Sequence, residues 1–411
     1  MTGETATSLL LITLAAVLAP VLSELVARWR IPSVLFELLL GMLIGPAVLG
    51  FAEVDSFIDG LSTLGLAFLF YLAGYELDLR RIRGAPLNRA AAGWAVTVAL
   101  GLGIAGVLVA IGFVLSDLLI GLALTTTAIG TLLPMLQDRR LLSTRFGDFM
   151  VAAGSVGEFG PVLAVTIFLG ASNPRTEGLL LVVFVLLALG VVWVVERPRP
   201  PRFVEVMERH LESSSQLPVR LVVLLTAGMV LVAVYLGLDM LLGAFAAGLI
   251  GRILFPPEES RILGTKLQSL GFGFLIPFFF IVSGMKFDLD ALLGSWDVAA
   301  RVPLFVALFL VVRGLPALVV YRGVLPGRQR MALGVLQSTA LPLLVVITQI
   351  GIETGDMRPA NAVALVGAGM VSVLAFPLVG FSLLGNEVEP AAADGPEVTP
   401  PADPSATPPS R

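Results

Sequence analysis

The sequence contains no cysteine and a single histidine, His210. The first absence excludes disulfides, thiolate metal sites and cysteine nucleophiles, and it leaves the redox compartment open. The second argues against an imidazole-based metal site. Charge is also scarce. Only 14% of the 411 residues are Asp, Glu, Lys or Arg, 57% are hydrophobic, and the mean hydropathy is +0.95. That balance lies far above what a soluble domain keeps in solution, so the chain reads as an integral membrane protein. The opening "MTGETATSLL" has no Lys or Arg, so the first apolar stretch reads as a retained span and not as a cleaved signal peptide. There is no helix-borne metalloprotease motif, no pair of intramembrane aspartates and no serine nucleophile with a histidine partner, so an enzyme is not expected. No cofactor and no nucleic-acid partner is expected either.

Crossing a hydrocarbon core of about 30 Å takes roughly 20 apolar residues. By that rule the chain holds about thirteen runs, near 8–27, 33–51, 60–77, 91–115, 118–136, 146–171, 178–195, 218–237, 240–254, 268–285, 300–321, 329–351 and 359–384. Putting the N-terminus outside places 20 of the 26 basic residues in cytoplasmic loops or their flanks. Basic residues are retained on the cytoplasmic side, so this asymmetry sets the expected orientation, with the C-terminus also cytoplasmic. The loop from 196 to about 217, "ERPRPPRFVEVMERHLESSSQLP", is expected to hold one short surface helix. Residues 386–411, rich in Pro, Ala and acids, are expected to form a disordered cytoplasmic tail.

"FLFYLAGYELDL" (68–79) is echoed by "FFFIVSGMKFDL" (278–289), an offset of 210, and "TTA" at Thr126 to Ala128 has a counterpart in "STA" at Ser338 to Ala340. The echoed segments are spans three and ten, an odd separation, so the two halves would run in opposite directions through the membrane. Inverted repeats of this kind build secondary transporters whose site lies near the midplane, where helices are broken.

The chemistry concentrates in few residues. Glu158 stands within an otherwise uncharged run from Phe149 to Asn173. A charge at that depth costs about 2.5 to 3.5 kcal/mol, which restricts it to a protein interior or a watery cavity. Arg313, in "LFVALFLVVRGLPALVVY", is the other ionisable residue near a span centre and the expected partner of Glu158. An alternative use of Arg313 is to bond backbone carbonyls freed by Gly314 and Pro316. "ALTTTAIGTLLP" places Thr125, Thr126, Thr127, Gly130 and Thr131 ahead of Pro134, and "LGVLQSTALP" places Gln337, Ser338 and Thr339 ahead of Pro342. Both have the composition of interrupted helices, whose hydroxyls and freed carbonyls can replace a cation's water shell. Glu158, Thr126, Thr127 and Ser155 are the candidate ion and proton ligands, and Thr125, Thr131, Gln337 and Ser338 are candidate polar groups of the breaks. Other charges read as ordinary. Glu24 and Glu37 are expected near cytoplasmic span ends, with water and Arg28 or Arg30 in reach, and Glu76, Asp78, Lys286 and Asp288 read as helix-end residues. Trp29, Trp94, Trp193 and Trp296 fall near span ends, as in an interfacial aromatic belt.

Together, "RIPSVLFELLLGMLIGPAVLG", "FLFYLAGYELDL", "IPFFFIVSGMKFDL" and the Thr-rich fifth span resemble bacterial monovalent cation:proton antiporters, in the branch of potassium efflux antiporters and several sodium/proton exchangers. The resemblance covers nearly all of residues 8–384. It implies an all-α membrane fold of about thirteen helices, with two crossed broken helices in a core that moves like an elevator against a dimerisation domain. It also implies a homodimer in a bacterial inner membrane. The transmembrane domain would be residues 1–385, with core helices at about 60–171 and 268–384. In the family the ion-binding acid on the span after the first broken helix often follows Asp, Asn or Gln; here that place reads Gly157-Glu158. The family's basic residue before the second broken helix matches Arg313, where Lys is frequent in electrogenic members.

The expected mechanism is exchange of Na+ or K+ for a proton on one carboxylate, Glu158, which binds either ion but never both. Arg stays protonated, so unlike Lys it cannot supply a transported proton, and the expected exchange is electroneutral, one for one. The alternatives are a sodium-coupled symporter of organic anions on the same architecture, for which Arg313 could bind the anion, and a non-transporting sensor.

Overall fold

The computed structural model describes residues 3–26, 32–76, 83–169, 174–195, 215–254, 257–287 and 289–384. All the elements among them are helical. α1 (Gly3–Leu25), α2 (Ser33–Ile44), α3 (Ser56–Glu76) and α4 (Ala85–Ala110) come first. α5 (Asp117–Leu124) and α6 (Ile129–Asp138) share one apolar run, and α7 (Arg145–Leu169) carries Glu158. α8 (Pro174–Val195), α9 (Leu217–Tyr235) and α10 (Met240–Leu254) follow. α11 (Pro257–Leu270) continues through a π turn at Gly271–Leu275 into α12 (Ile276–Met285), and the short α13 is Leu289–Leu293. α14 (Trp296–Phe309) continues through a second π turn, Leu310–Gly314, into α15 (Leu315–Val320). α16 (Gly327–Gln337), α17 (Pro342–Glu353) and α18 (Pro359–Leu384) complete the described chain.

Seven of these helices are long and apolar enough to cross a membrane, and the bent pair α16 and α17 makes eight. The remaining apolar runs fall on shorter helices or on α7. The expected helix between 196 and 214 lies outside the described residues, as do the expected disordered tail and the acids Asp78 and Asp288.

The two breaks arise from local chemistry. α5 is opened by Ser116, whose hydroxyl accepts from Leu119 N–H, and it ends where three consecutive threonines follow. β-branched hydroxylated residues compete with the helix for backbone groups. Here Thr125 Oγ1 donates to Leu122 O at 2.8 Å and Thr126 Oγ1 to Ala123 O at 2.9 Å, closing the last turn of α5. In the second half, Ser338 Oγ donates to Gly334 O at 2.8 Å, and Pro342 restarts the helix with a bend of 41° between α16 and α17. The π turns have a related cause. Each precedes a proline, Pro277 or Pro316, which has no N–H and crowds the carbonyl four residues back; a wider turn absorbs that mismatch.

Two groups of helices result. α1, α2, α3, α9, α10 and the α11–α12 rod pack on one another, while α4 to α7 and α14 to α18 form the second group. α8 touches both, packing on α7 and on α9 and α10. Residues 60–77 and 268–285 belong to the group that does not hold the breaks. The reason is backbone proximity set by glycine. A Cβ on Gly284 of α12 would lie 3.0 Å from Leu38 C and from Met42 N of α2, so these helices meet main chain to main chain. An apolar layer of Phe70, Phe159, Leu241 and Ala244 spans the boundary between the groups.

Candidate functional site

The site is built around α7, whose successive residues face different neighbours because each step turns the side chain by about 100°. Gly154 and Glu158, four apart, face α6: a Cβ on Gly154 would lie 2.8 Å from Ile129 Cγ1. Gly157 faces Arg313 and Thr127, and Gly160 faces the ring of Trp94. Phe159 stacks on Phe245 of α10, with ring centroids 3.5 Å apart and planes inclined by 23°.

Glu158 is 3% exposed. Its carboxylate faces the backbone N–H groups of Ile129 and Gly130, the first turn of α6. The first N–H groups of a helix have no intrahelical acceptor, and the helix start carries partial positive charge. Ala128 at the N-cap offers no capping side chain, so this helix start presents its positive end to the Glu158 carboxylate. Its second oxygen, Oε2, has no hydrogen-bond partner among the described residues.

The two breaks cross and are bonded to each other. Ala128 N donates to Thr339 O at 2.7 Å, Thr127 Oγ1 donates to Gln337 O at 2.5 Å, and Thr127 N donates to Gly157 O at 3.0 Å. Ala340 N donates to Ser372 Oγ at 3.0 Å, so α18 completes the second break.

Arg313 lies in the π turn, 2% exposed. Its Nη2 donates to Thr127 Oγ1 at 2.6 Å and to Ala153 O at 3.1 Å, and its Nε donates to Thr127 Oγ1 at 3.0 Å. A longer contact joins Nε to Gln337 O at 3.4 Å, and Gln337 Nε2 returns a bond to Arg313 O at 2.5 Å. The expected ion pair with Glu158 is therefore not made. Arg313 meets α7 on the Ala153–Gly157 face, and Glu158 leaves the helix on the adjacent one. The alternative use, bonding of free carbonyls, is the geometry observed, although the carbonyls belong to α7 and to the second break and not to its own kink.

Thr126, Thr127, Ser155 and Glu158 are all buried within one turn of α7 or in the first break, as are Thr125, Gln337 and Ser338 in the breaks. Thr131 sits in the first turns of α6, half-buried. The hydroxyls of Thr125 and Thr126 donate backward onto α5 but keep lone pairs for a cation. Ser155 makes no hydrogen bond among the described residues.

Four groups were not singled out from sequence as site residues. Thr339 Oγ1, Thr97 Oγ1 and Trp94 Nε1 are buried without hydrogen-bond partners among the described residues, and Ser372 bridges Ala340 and Gly369. Thr339 belongs to the "STA" echo and was findable there. Trp94 was read as part of the interfacial belt; its ring instead packs inward on Gly160, whereas Trp193 and Trp296 are 61% and 91% exposed. Ser372 and Thr97 carry no sequence signal, since lone hydroxyls are common in membrane helices. Hard oxygen atoms with free lone pairs suit alkali cations better than soft metals.

A family profile described as "Sodium/hydrogen exchanger, transmembrane" matches residues 12–384. The chain is 26% identical over 410 residues to the putative Na+/H+ antiporter YjbQ of Bacillus subtilis, covering 95% of this chain and 65% of that one. It is 29% identical over 403 residues to cation/H+ antiporter 17 of Arabidopsis thaliana, covering 90% of this chain and 48% of that one. The chain thus spans about two thirds of the first relative and about half of the second. Among solved structures, the sodium proton antiporter MjNhaP1 from Methanocaldococcus jannaschii superposes with a TM-score of 0.63 at 17% identity, over 93% of this chain and 96% of that one.

Proposed function

Because the chain belongs to the sodium/hydrogen exchanger family, we propose that it exchanges a monovalent cation, Na+ or K+, for a proton across the bilayer. The observation that carries this reading is Glu158: a carboxylate 3% exposed, held at the start of α6 between two crossed helix breaks, with one oxygen unpartnered. Oε2 binds either a proton or a cation. Thr339 Oγ1 and the hydroxyl of Thr126 supply neutral oxygens where the cation sheds water; the Thr127 hydroxyl, expected among the ligands, is taken up by Arg313 and Gln337 instead. Occupancy by one ion excludes the other, and the empty charged site is too costly to move through an apolar layer. The loaded forms then carry equal charge.

Arg313 acts by position. Its permanent charge lies across α7 from Glu158 and holds Thr127 and Gln337 in the crossing, so the breaks stay registered while occupancy changes. It carries no proton in the cycle, which supports one-for-one, electroneutral exchange. The engagement of Nε and Nη2 by Thr127, Ala153 and Gln337 disfavours organic-anion symport, which needs free donors at the break. Alternating access would be an elevator motion of the break-bearing group against α1–α3 and α9–α12, in a homodimer with both termini placed as the basic residues indicate.

The test is ion flux in proteoliposomes, titrated separately with sodium and potassium under a clamped membrane potential. Proton movement that requires one of these cations and ignores voltage is the expected result. A rate that climbs steeply with voltage refutes one-for-one exchange, and proton movement indifferent to both cations refutes the exchange itself.

A further inference from the structure

α2 carries one charged residue, Glu37, one turn inside its start at Ser33. The sequence places a solvated carboxylate there, within reach of Arg28 and Arg30. The structure corrects this: Glu37 is 5% exposed and its Oε2 has no hydrogen-bond partner among the described residues. Arg28 and Arg30 lie outside the described residues. Buried polar atoms almost always find partners, and a lone carboxylate among apolar helices is a rarity that calls for a reason.

Among the described residues its surroundings offer no compensating charge. α2 packs on α12, α1 and α18. Neither α12 nor α18 has a titratable or charged side chain, and α1 has only Glu4 in its first turn and Glu24, which is exposed in its last. The α2–α12 crossing is main chain on main chain: a Cβ on Gly41 would lie 2.8 Å from Ile281 C, and one on Gly45 would lie 2.8 Å from Met285 Cα. An ionised carboxylate in that place would be unpaired and buried, which is far more costly than the neutral acid.

We propose that Glu37 is a second proton-binding site, in the helix group opposite the one that holds Glu158, and that its proton governs how α2 seats on α12. With the proton bound, the neutral acid is tolerated in the closed crossing. When the proton leaves, the anion must draw water or a cation, and it can do so only if α2 withdraws from the glycine contacts at Gly41, Gly45 and Gly284. α12 packs also on α3, and α3 on α10, which presents Phe245 to Phe159 beside Glu158. The seating of α2 is thereby linked to the wall that faces the exchange site. Exchange consequently has a pH dependence of its own origin, separate from competition at Glu158. This link to flux rests on the proposed function; the proton site does not.

Infrared difference spectra of the lipid-reconstituted protein, taken between acidic and alkaline buffer, test it. Wild type is expected to show a carboxylic-acid carbonyl band that is lost on alkalinisation, absent from Glu37→Gln and retained in Glu158→Gln. Glu37→Asp should shift the band, which covers the case in which the glutamine variant does not fold. An unchanged band in folded Glu37→Gln, or an unshifted one in Glu37→Asp, overturns the proton site. In flux assays Glu37→Gln is expected to keep exchange in acid and to lose the part of the pH profile that follows the band. A wild-type profile in that variant overturns the control of exchange. If no variant and no wild type exchanges ions while the band still vanishes in Glu37→Gln, the functional reading fails and the proton site stands.

Discussion

Gly157 and Arg313 are in direct contact: a Cβ at position 157 would lie 2.8 Å from Arg313 Cζ and 2.7 Å from Thr127 Oγ1. Position 157 carries no side chain, and the guanidinium occupies the space that one would take. Gly157→Ala is expected to push Arg313 off Thr127 and to destabilise by about 1 to 3 kcal/mol, in the range of overpacked interiors. Thermal unfolding in detergent measures it. The slimmer ammonium of Arg313→Lys should reduce the cost of Gly157→Ala, giving a coupling that a double-mutant cycle detects.

Glu158→Gln keeps a polar side chain of the same shape facing the start of α6 but removes the exchangeable charge. Exchange should fall to the level of empty liposomes while the melting temperature stays near that of wild type. Retained exchange would remove Glu158 from its role.

Phe159 and Phe245 close the apolar layer between the two helix groups next to Glu158. Phe245→Ala is expected to open a water path, so that acid-loaded liposomes lose their pH gradient without added cation. Phe245→Leu refills much of the gap and should hold the gradient. Equal leak from both variants, or from neither, would count against a seal at this stack.

Asp55 precedes α3 and accepts from Ile58 N at 2.9 Å, from the Thr5 hydroxyl and from Phe57 N at 3.0 Å. The Ile58 bond first, then that of Thr5, holds its carboxyl below the usual carboxylate range. A lowered value means that the ionised form is preferred in the fold, so its contribution exists at neutral pH and disappears as pH falls through that lowered value. Asp55→Asn should therefore melt earlier than wild type near neutrality. The difference should vanish in acid, below the ordinary Asp value of about 3.9.

Much of this was legible in the chain itself. Long apolar runs, sparse charge and the single deep acid Glu158 fix the solvent and the kind of site, because a bilayer tolerates few exceptions to its rules. The Thr-rich and Ser-Thr segments ahead of Pro134 and Pro342 mark the helix breaks, because hydroxyls and proline act on their own backbone within one turn. Their echo across the two halves even points to Thr339.

What only tertiary structure decided is which residues meet. Arg313 turns to Thr127 and Ala153 and leaves Glu158 to the amides of α6. Trp94 points inward, Glu37 is buried, and residues 60–77 and 268–285 join the group without the breaks. These outcomes depend on how closely two helix backbones approach and on which face of α7 each neighbour takes. Such distances are set by the whole set of glycine contacts at once, and no window of sequence contains them.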